Sequence, residues 1–131
     1  MNSRQCTRRQ PRVLALGTLL IGTLLVLPPR SPAQDGGVPS DQIRALNLAR
    51  DTAVRINGGL SVYRPADCMF ATGDSNNPCL VNRNPQGFFF RFAGGPPGWQ
   101  SKNIPPTVLT EIQISADGRQ VVDVRYNGQP R

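Results

Sequence analysis

The sequence predicts an α+β fold in which one N-terminal amphipathic helix packs on an antiparallel sheet of four to five strands. Two observations carry this prediction. Hydrophobic residues in 41–57 recur every three or four positions, as on one face of a helix, whereas from residue 60 onward they alternate with polar residues, as in strands. An antiparallel sheet with one apolar face needs a covering layer, which the helix supplies.

The helix is predicted to begin after a side-chain cap at Ser40 or Asp41, whose oxygen can accept a bond from a free N–H of the first turn. It ends at Asn57-Gly58-Gly59, because glycine adopts the left-handed conformation that a helix terminus requires. The residues expected on its buried face are Ile43, Leu46, Ala49, Ala53 and Ile56.

Residues 79–92 predict a first hairpin, because the turn-forming sequence Asn84-Pro85-Gln86-Gly87 separates two extended segments. Residues 60–64 predict a short strand before it, and residues 68–70 are either a second short strand or the start of a loop. In the last strand of the hairpin, Phe89 is expected on the opposite side from the other aromatic residues, which are Phe88, Phe90 and Phe92.

Residues 107–126 predict a second hairpin around the Asp117-Gly118 turn. In the first strand we expect Val108, Thr110, Ile112 and Ile114 on one face. In the returning strand we expect Val122, Val124 and Tyr126 on one face. The other face is expected to carry Val121, Asp123 and Arg125. Glu111 is then expected opposite Asp123 or Arg125, as part of a cross-strand charge pair.

Residues 1–33 predict a cleaved secretory signal peptide. A basic segment precedes the uncharged run Val13–Leu27, and small residues at Ser31 and Ala33 precede the expected cleavage before Gln34. The apolar run is shorter than the about 20 residues that cross a membrane, so an uncleaved anchor is the less favoured alternative. We expect a flexible start at 34–39 and one small domain at 40–131, exported to the periplasm, the thylakoid lumen or the extracellular space.

The formal net charge of +7 is concentrated in the predicted leader. Residues 1–33 contain five arginines and no acidic residue, whereas residues 34–131 contain ten basic and eight acidic residues, so 10 − 8 gives +2. Such a domain lacks the basic surface that nucleic acids require. The sequence therefore predicts no nucleic-acid partner, and contact with a membrane only through the leader before cleavage.

Cys68 and Cys79 are the two cysteines that remain after removal of the leader, and they predict a disulfide. Closing this loop would stabilise the domain by roughly 3 kcal/mol. The alternatives are a redox pair, which usually has much closer spacing, and a zinc site, which needs more ligands in a chain that has no histidine. We expect no metal and no cofactor.

The sequence contains no recognisable catalytic group, since histidine, the usual acid–base residue near neutral pH, is absent. The favoured function is a non-enzymatic exported domain that binds a partner, such as an envelope protein, or has another role in the envelope. The alternative is a small envelope hydrolase that uses two carboxylates, for which Glu111 and Asp123 are the candidates.

The loop at residues 94–100 contains the single Trp of the chain among glycines and prolines, and rigid aromatic residues are common anchors for partners. Alternatively, this Trp covers the open end of the core. The candidate partner-binding residues are Trp99, Pro96, Pro97, Phe89 and Tyr63.

One helix followed by an antiparallel sheet resembles the cystatin architecture, whose members often inhibit cysteine proteases. The motifs of that family differ here, because Val124 stands where its Q-x-V-x-G hairpin has Gly, and Gly98 separates Pro97 from Trp99; the resemblance implies the fold alone. The stretches NGGLSVYRPADCMF, NPCLV, GFFFRFAGGPPGWQ and TEIQISADGR resemble uncharacterised small exported proteins of cyanobacteria. This second resemblance implies a periplasmic or thylakoid-lumen location and no activity.

Overall fold

The computed structural model describes residues 37–131, so the predicted signal peptide and the first half of the flexible start lie outside the described residues. One helix and a five-stranded antiparallel sheet confirm the predicted α+β class. The elements are α1 (Ser40–Ile56), β1 (Arg64–Pro65), a short 3₁₀-helix (Asp67–Phe70), β2 (Leu80–Asn84), β3 (Gly87–Gly95), β4 (Val108–Ile114) and β5 (Val121–Gly128). Within this part of the chain, no helix has the length and apolar character needed to cross a membrane.

Helix α1 packs on the sheet through small side chains. Its alanines at 45, 49 and 53 are completely buried, and Leu46 is nearly so. The predicted face is therefore only partly correct, because Ile43 is half-buried and Ile56 is exposed, while Gln42 and Thr52 are buried instead. The large aromatic side chains of the core belong to the sheet. The small alanine side chains leave room for them, so the helix can pack closely on the sheet along this row.

The predicted side-chain cap of α1 is only partly correct. Pro39, and not Ser40 or Asp41, occupies the N-cap position, where its carbonyl accepts a hydrogen bond of 3.1 Å from the Ile43 N–H. Asp41 Oδ1 accepts a bond of 2.9 Å from the Gln42 N–H of the first turn, and its Oδ2 accepts one of 3.2 Å from Arg83 of β2. The helix start is thus joined to the sheet by an ion pair.

The chain leaves α1 at Asn57 and continues through Gly58 and Gly59, both at φ +93°, as predicted for the helix end. The Tyr63 N–H then donates to the Gly59 carbonyl at 2.9 Å, which closes a turn over residues 60–62. The strand predicted at 60–64 is therefore wrong except at its last residue, because these backbone groups bond locally and only β1 reaches the sheet.

Strand β3 lies at the centre of the sheet. It pairs with β4 along one edge, while β1 and β2 share its other edge, and β5 is the outer strand beyond β4. The first hairpin is confirmed, with Pro85 and Gln86 between β2 and β3. The predicted alternation in β3 is confirmed as well: three aromatic side chains lie in the core, opposite Ile114, Ile112 and Thr110 of β4, namely Phe88, Phe90 and Phe92.

The second hairpin is confirmed, but the predicted faces of β5 are wrong. Two β-bulges insert one extra residue each, at Val122 and at Arg125, and each bulge changes the alternation of side chains. Val124 consequently lies opposite Ile112 on the core side, whereas Asp123 lies opposite Gln113 on the other side. The register expected for Glu111 is also wrong; its partner on β5 is Tyr126.

Candidate binding surface

Residues 66–79, hereafter the stapled segment, lie at one end of the sheet and contain no strand. A disulfide joins Cys68 to Cys79, whose Cα atoms are 5.9 Å apart, which confirms the predicted pair. Inside the loop, the buried Asn77 side-chain amide donates to the carbonyls of Cys68 at 2.6 Å and Ala71 at 3.3 Å. Its Oδ1 accepts a bond of 2.9 Å from the Cys79 N–H. The segment is thus fixed by a covalent cross-link and one polar side chain.

The 3₁₀-helix at Asp67–Phe70 replaces the strand considered for residues 68–70, so these residues begin the disulfide-closed loop. Within this helix, Met69 is completely buried in the core, while Phe70 is 43% exposed. The Arg50 guanidinium of α1 lies over the Phe70 ring, 5.2 Å from its centroid. Anchoring Met69 in the core therefore holds Phe70 at the surface.

Trp99 is fixed in a defined orientation although it belongs to a loop. The indole N–H of Trp99 donates to the Arg64 carbonyl at 3.0 Å. The backbone N–H of Ile104 donates to the backbone carbonyl of Trp99 at 2.8 Å. The indole lies against Gly95, where a Cβ would come within 3.0 Å of its Cγ. Half-buried Trp99 stands outside the core cluster and covers the end of β1 and β3.

Two grooves meet at Phe70. The first, of about 600 Å³, is lined by residues that include Phe70, Trp99, Pro65 and Pro97. The second, of about 450 Å³, lies along α1 and is lined by Phe70 with Val54, Leu60 and charged residues of the helix. The two grooves together are called the Phe70 surface below. Its centre is apolar, since Leu60 is 45% exposed beside Phe70.

Charged residues surround the Phe70 surface. In the second groove Arg50 forms an ion pair with Asp51 at 3.0 Å, and Arg55 has no carboxylate partner among residues 37–131. In the first groove Arg64 and Asp67 contribute opposite charges, and neither forms an ion pair within the same residues. The second groove therefore has a net charge of +1, while the first is balanced.

Of the predicted binding residues, the structure brings Trp99 and Pro97 into the first groove and leaves Pro96 half-buried beside it. Tyr63 is only 3% exposed, with its ring against Gly94, so it offers no surface to a partner. Phe89 lies on the far face of the sheet, half-buried under the Arg125 guanidinium at 4.6 Å.

The buried position of Tyr63 has an electrostatic consequence. Desolvation raises the pKa of Tyr63 above its usual value, and the nearby Thr110 hydroxyl opposes this rise in part. Thr110 donates its own hydrogen bond to Asn127 at 2.8 Å, and the Tyr63 hydroxyl has no partner in hydrogen-bonding geometry among the described residues. We assign Tyr63 to the core.

Of the two carboxylates considered for a hydrolase, Glu111 is already engaged by arginine side chains. Glu111 lies directly opposite Arg91 and pairs with it at 3.5 Å, and Arg131 approaches its other oxygen at 3.2 Å. A cross-strand charge pair thus exists, but its partner is on β3, whereas Asp123 lies opposite Gln113. Within residues 37–131 no cluster of carboxylate or thiol groups is arranged to hold a metal ion.

Three residues that line this surface or order its loop were missing from the candidates named from the sequence. Phe70 had a detectable signal, because it is a large apolar residue next to a cysteine in an otherwise polar loop. Asn77 also had one, since an Asn two residues before Cys79 can bond its own backbone ahead in an Asx turn. Leu60 had none, because its exposure results from the turn that replaces the predicted strand.

No protein-family model, curated protein or solved structure matches the chain. A function can therefore be proposed only from the residues and their arrangement.

Proposed function

We propose that the protein is a non-enzymatic exported domain that binds a partner in the cell envelope through the Phe70 surface. The observation that carries this proposal is the pre-formed groove beside Trp99, whose volume is about 600 Å³. The indole N–H bond to the Arg64 carbonyl and the contact with Gly95 fix the indole before any partner arrives, and the Ile104 N–H bond holds the Trp99 backbone. A rigid aromatic group loses little conformational entropy on binding, so more of its contact energy becomes affinity.

The composition of the surface supports the same proposal. Trp, other aromatic residues and Arg are the residue types enriched where proteins bind one another, and Phe70, Trp99 and Arg50 are all present. Exposing a Phe ring and a Leu side chain side by side is unfavourable in water. A partner that covers them would remove this cost.

The disulfide is compatible with an oxidising compartment outside the cytoplasm, and the proposed export rests on it together with the predicted leader. The intact mass of the protein recovered from the producing cell's envelope tests export. We expect a chain that begins at Gln34 and whose cysteines are alkylated only after reduction. A full-length chain, or freely labelled Cys68 and Cys79, would contradict the proposed location.

Affinity capture from an envelope extract tests binding, with the native protein compared with Trp99→Ala and with Val122→Ser. Val122 is the matched control, because it is an exposed apolar residue on β5, away from the Phe70 surface. We expect Trp99→Ala to lose partners that Val122→Ser retains. The proposal fails if the three proteins capture the same set.

A further inference from the structure

We infer that the occupant of the Phe70 surface is an extended segment of another protein that carries one apolar side chain for each groove and a carboxylate for Arg55. This inference rests on the proposed function and names its partner class. Phe70 lines both grooves, and each groove combines apolar side chains with charged ones. An extended chain that passes over Phe70 can direct side chains from either side of its crossing point into the two grooves.

The positive charge of the second groove indicates where the carboxylate of the partner would bind. The second groove contains the guanidiniums of Arg50 and Arg55 but only one carboxylate, that of Asp51, which Arg50 already engages. Arg55 is exposed and has no carboxylate partner among residues 37–131. An acidic residue of the partner next to its apolar anchor would complete this pair, and burial of the neighbouring anchor would strengthen it.

Two other ligand classes fit the surface less well. A proline-rich helix is usually held in an aromatic groove partly by hydrogen bonds to its carbonyls, and the indole N–H is already bonded to the Arg64 carbonyl. A nucleic acid needs several phosphate contacts, whereas the surface has an excess of one positive charge, contributed by the second groove.

Selection of random peptides displayed on phage tests the partner class, with the protein purified from the envelope as bait and its disulfide intact. Selected sequences are then made as fluorescent synthetic peptides, and their affinities are measured by anisotropy. We expect the sequences to share two apolar residues and an Asp or Glu. The inference is overturned if no peptide is selected, or if the selected sequences have no acidic residue in common.

Two variants with matched controls locate the binding. Phe70→Ser is expected to lower the affinity for the selected peptides by at least about tenfold, and Val122→Ser to leave that affinity unchanged. Arg55→Gln is expected to weaken them by about threefold at low salt and less at high salt, with Arg119→Gln as its exposed, unaffected control. Equal affinity for Phe70→Ser and the native protein would overturn the inference.

A fluorescence titration distinguishes failure of this inference from failure of the proposed function, because Trp99 is the single Trp of the chain. Soluble fragments of envelope polysaccharide are added while the fluorescence of Trp99 is measured. A saturable change, with no peptide selected, overturns the peptide class but leaves a binding function at this surface. If capture from the envelope extract is also unaffected by Trp99→Ala, both proposals fail.

Discussion

The stapled segment and the β3–β4 pair are held in place by different kinds of interaction. Seven consecutive cross-strand pairs join β3 to β4, and their inward side chains fill the core. The stapled segment contributes Met69 and Cys79 to that core and depends on the disulfide and the Asn77 amide for its shape. Where burial is small, cross-links and side-chain-to-backbone bonds keep the backbone ordered.

This difference explains why the candidate surface lies at one end of the molecule. A strand buried on the core side must direct its large side chains inward, as β3 does with its aromatic rings. A segment whose backbone is fixed by other means can expose a large side chain, as the stapled segment does with Phe70. Substitutions in the two regions should therefore differ in how much they lower the free energy of unfolding and in how far along the chain they increase amide exchange.

The largest effect is expected in the sheet. Phe90→Ala removes a completely buried ring and should lower the free energy of unfolding by about 3–5 kcal/mol, measured by urea denaturation. Phe89→Ala is the matched control on the opposite face of the same strand, where loss of a half-buried ring should cost about 1 kcal/mol. Equal losses would contradict the assignment of faces.

Removal of the disulfide should have the next largest effect. Replacing Cys68 and Cys79 together by Ser is expected to cost about 3 kcal/mol in unfolding free energy. Amide hydrogen exchange should then accelerate most in residues 66–79, while the amides of β3 and β4 keep the larger part of their protection. Uniform acceleration along the whole chain would show that the two regions unfold as one unit.

Asn77→Ala should destabilise the protein by about 2 kcal/mol, because it removes the side-chain bonds to the carbonyls of Cys68 and Ala71 and to the Cys79 N–H that order the loop. Asn76→Ala is the control, since the neighbouring Asn is exposed and its side chain makes no hydrogen bond among the described residues. Thermal unfolding of the two variants provides the measurement. A similar small shift for both would exclude Asn77 as the organiser of the loop.

The smallest effect is expected at the β4–β5 turn. Hydrogen bonds from the Ser115 hydroxyl and from the Arg119 backbone N–H lower the pKa of Asp117 below its usual 3.8. Because the folded-state pKa is depressed, the contribution to stability is present above the unfolded pKa and is lost as pH falls through the folded pKa. Carboxyl NMR titration should show the pKa rising in Ser115→Ala; an unchanged value would contradict this cause.

Much of the sheet could be predicted from the sequence, because its signals are local. The Asp117-Gly118 turn and the alternating aromatic residues of β3 specify pairing and faces within a few residues of each other. The faces of β5 could not be predicted in this way. Its two bulges arise from how the strand fits against β4, and a regular alternation gives no indication of an inserted residue.

The candidate surface was only partly predictable. Trp99 was identifiable as a single aromatic residue in a loop, but its bond to the Arg64 carbonyl joins residues far apart in the chain. Trp99 and Tyr63 were both candidate binding residues, and only tertiary packing, which buries Tyr63 and leaves Trp99 half-buried, distinguishes them. Hydrophobic residues in irregular segments carry no periodic signal that distinguishes a core position from a surface position.

The outer strand β5 also affects how copies of this protein behave at high concentration. An outer strand with exposed valines, such as Val122 at 59% exposure, normally offers a template on which further chains assemble into fibrils. The extra residues at Val122 and Arg125 make the spacing of its free N–H and C=O groups uneven. A second chain laid along this edge would meet mismatched donors and acceptors, so the valine-rich strand is a poor seed for aggregation.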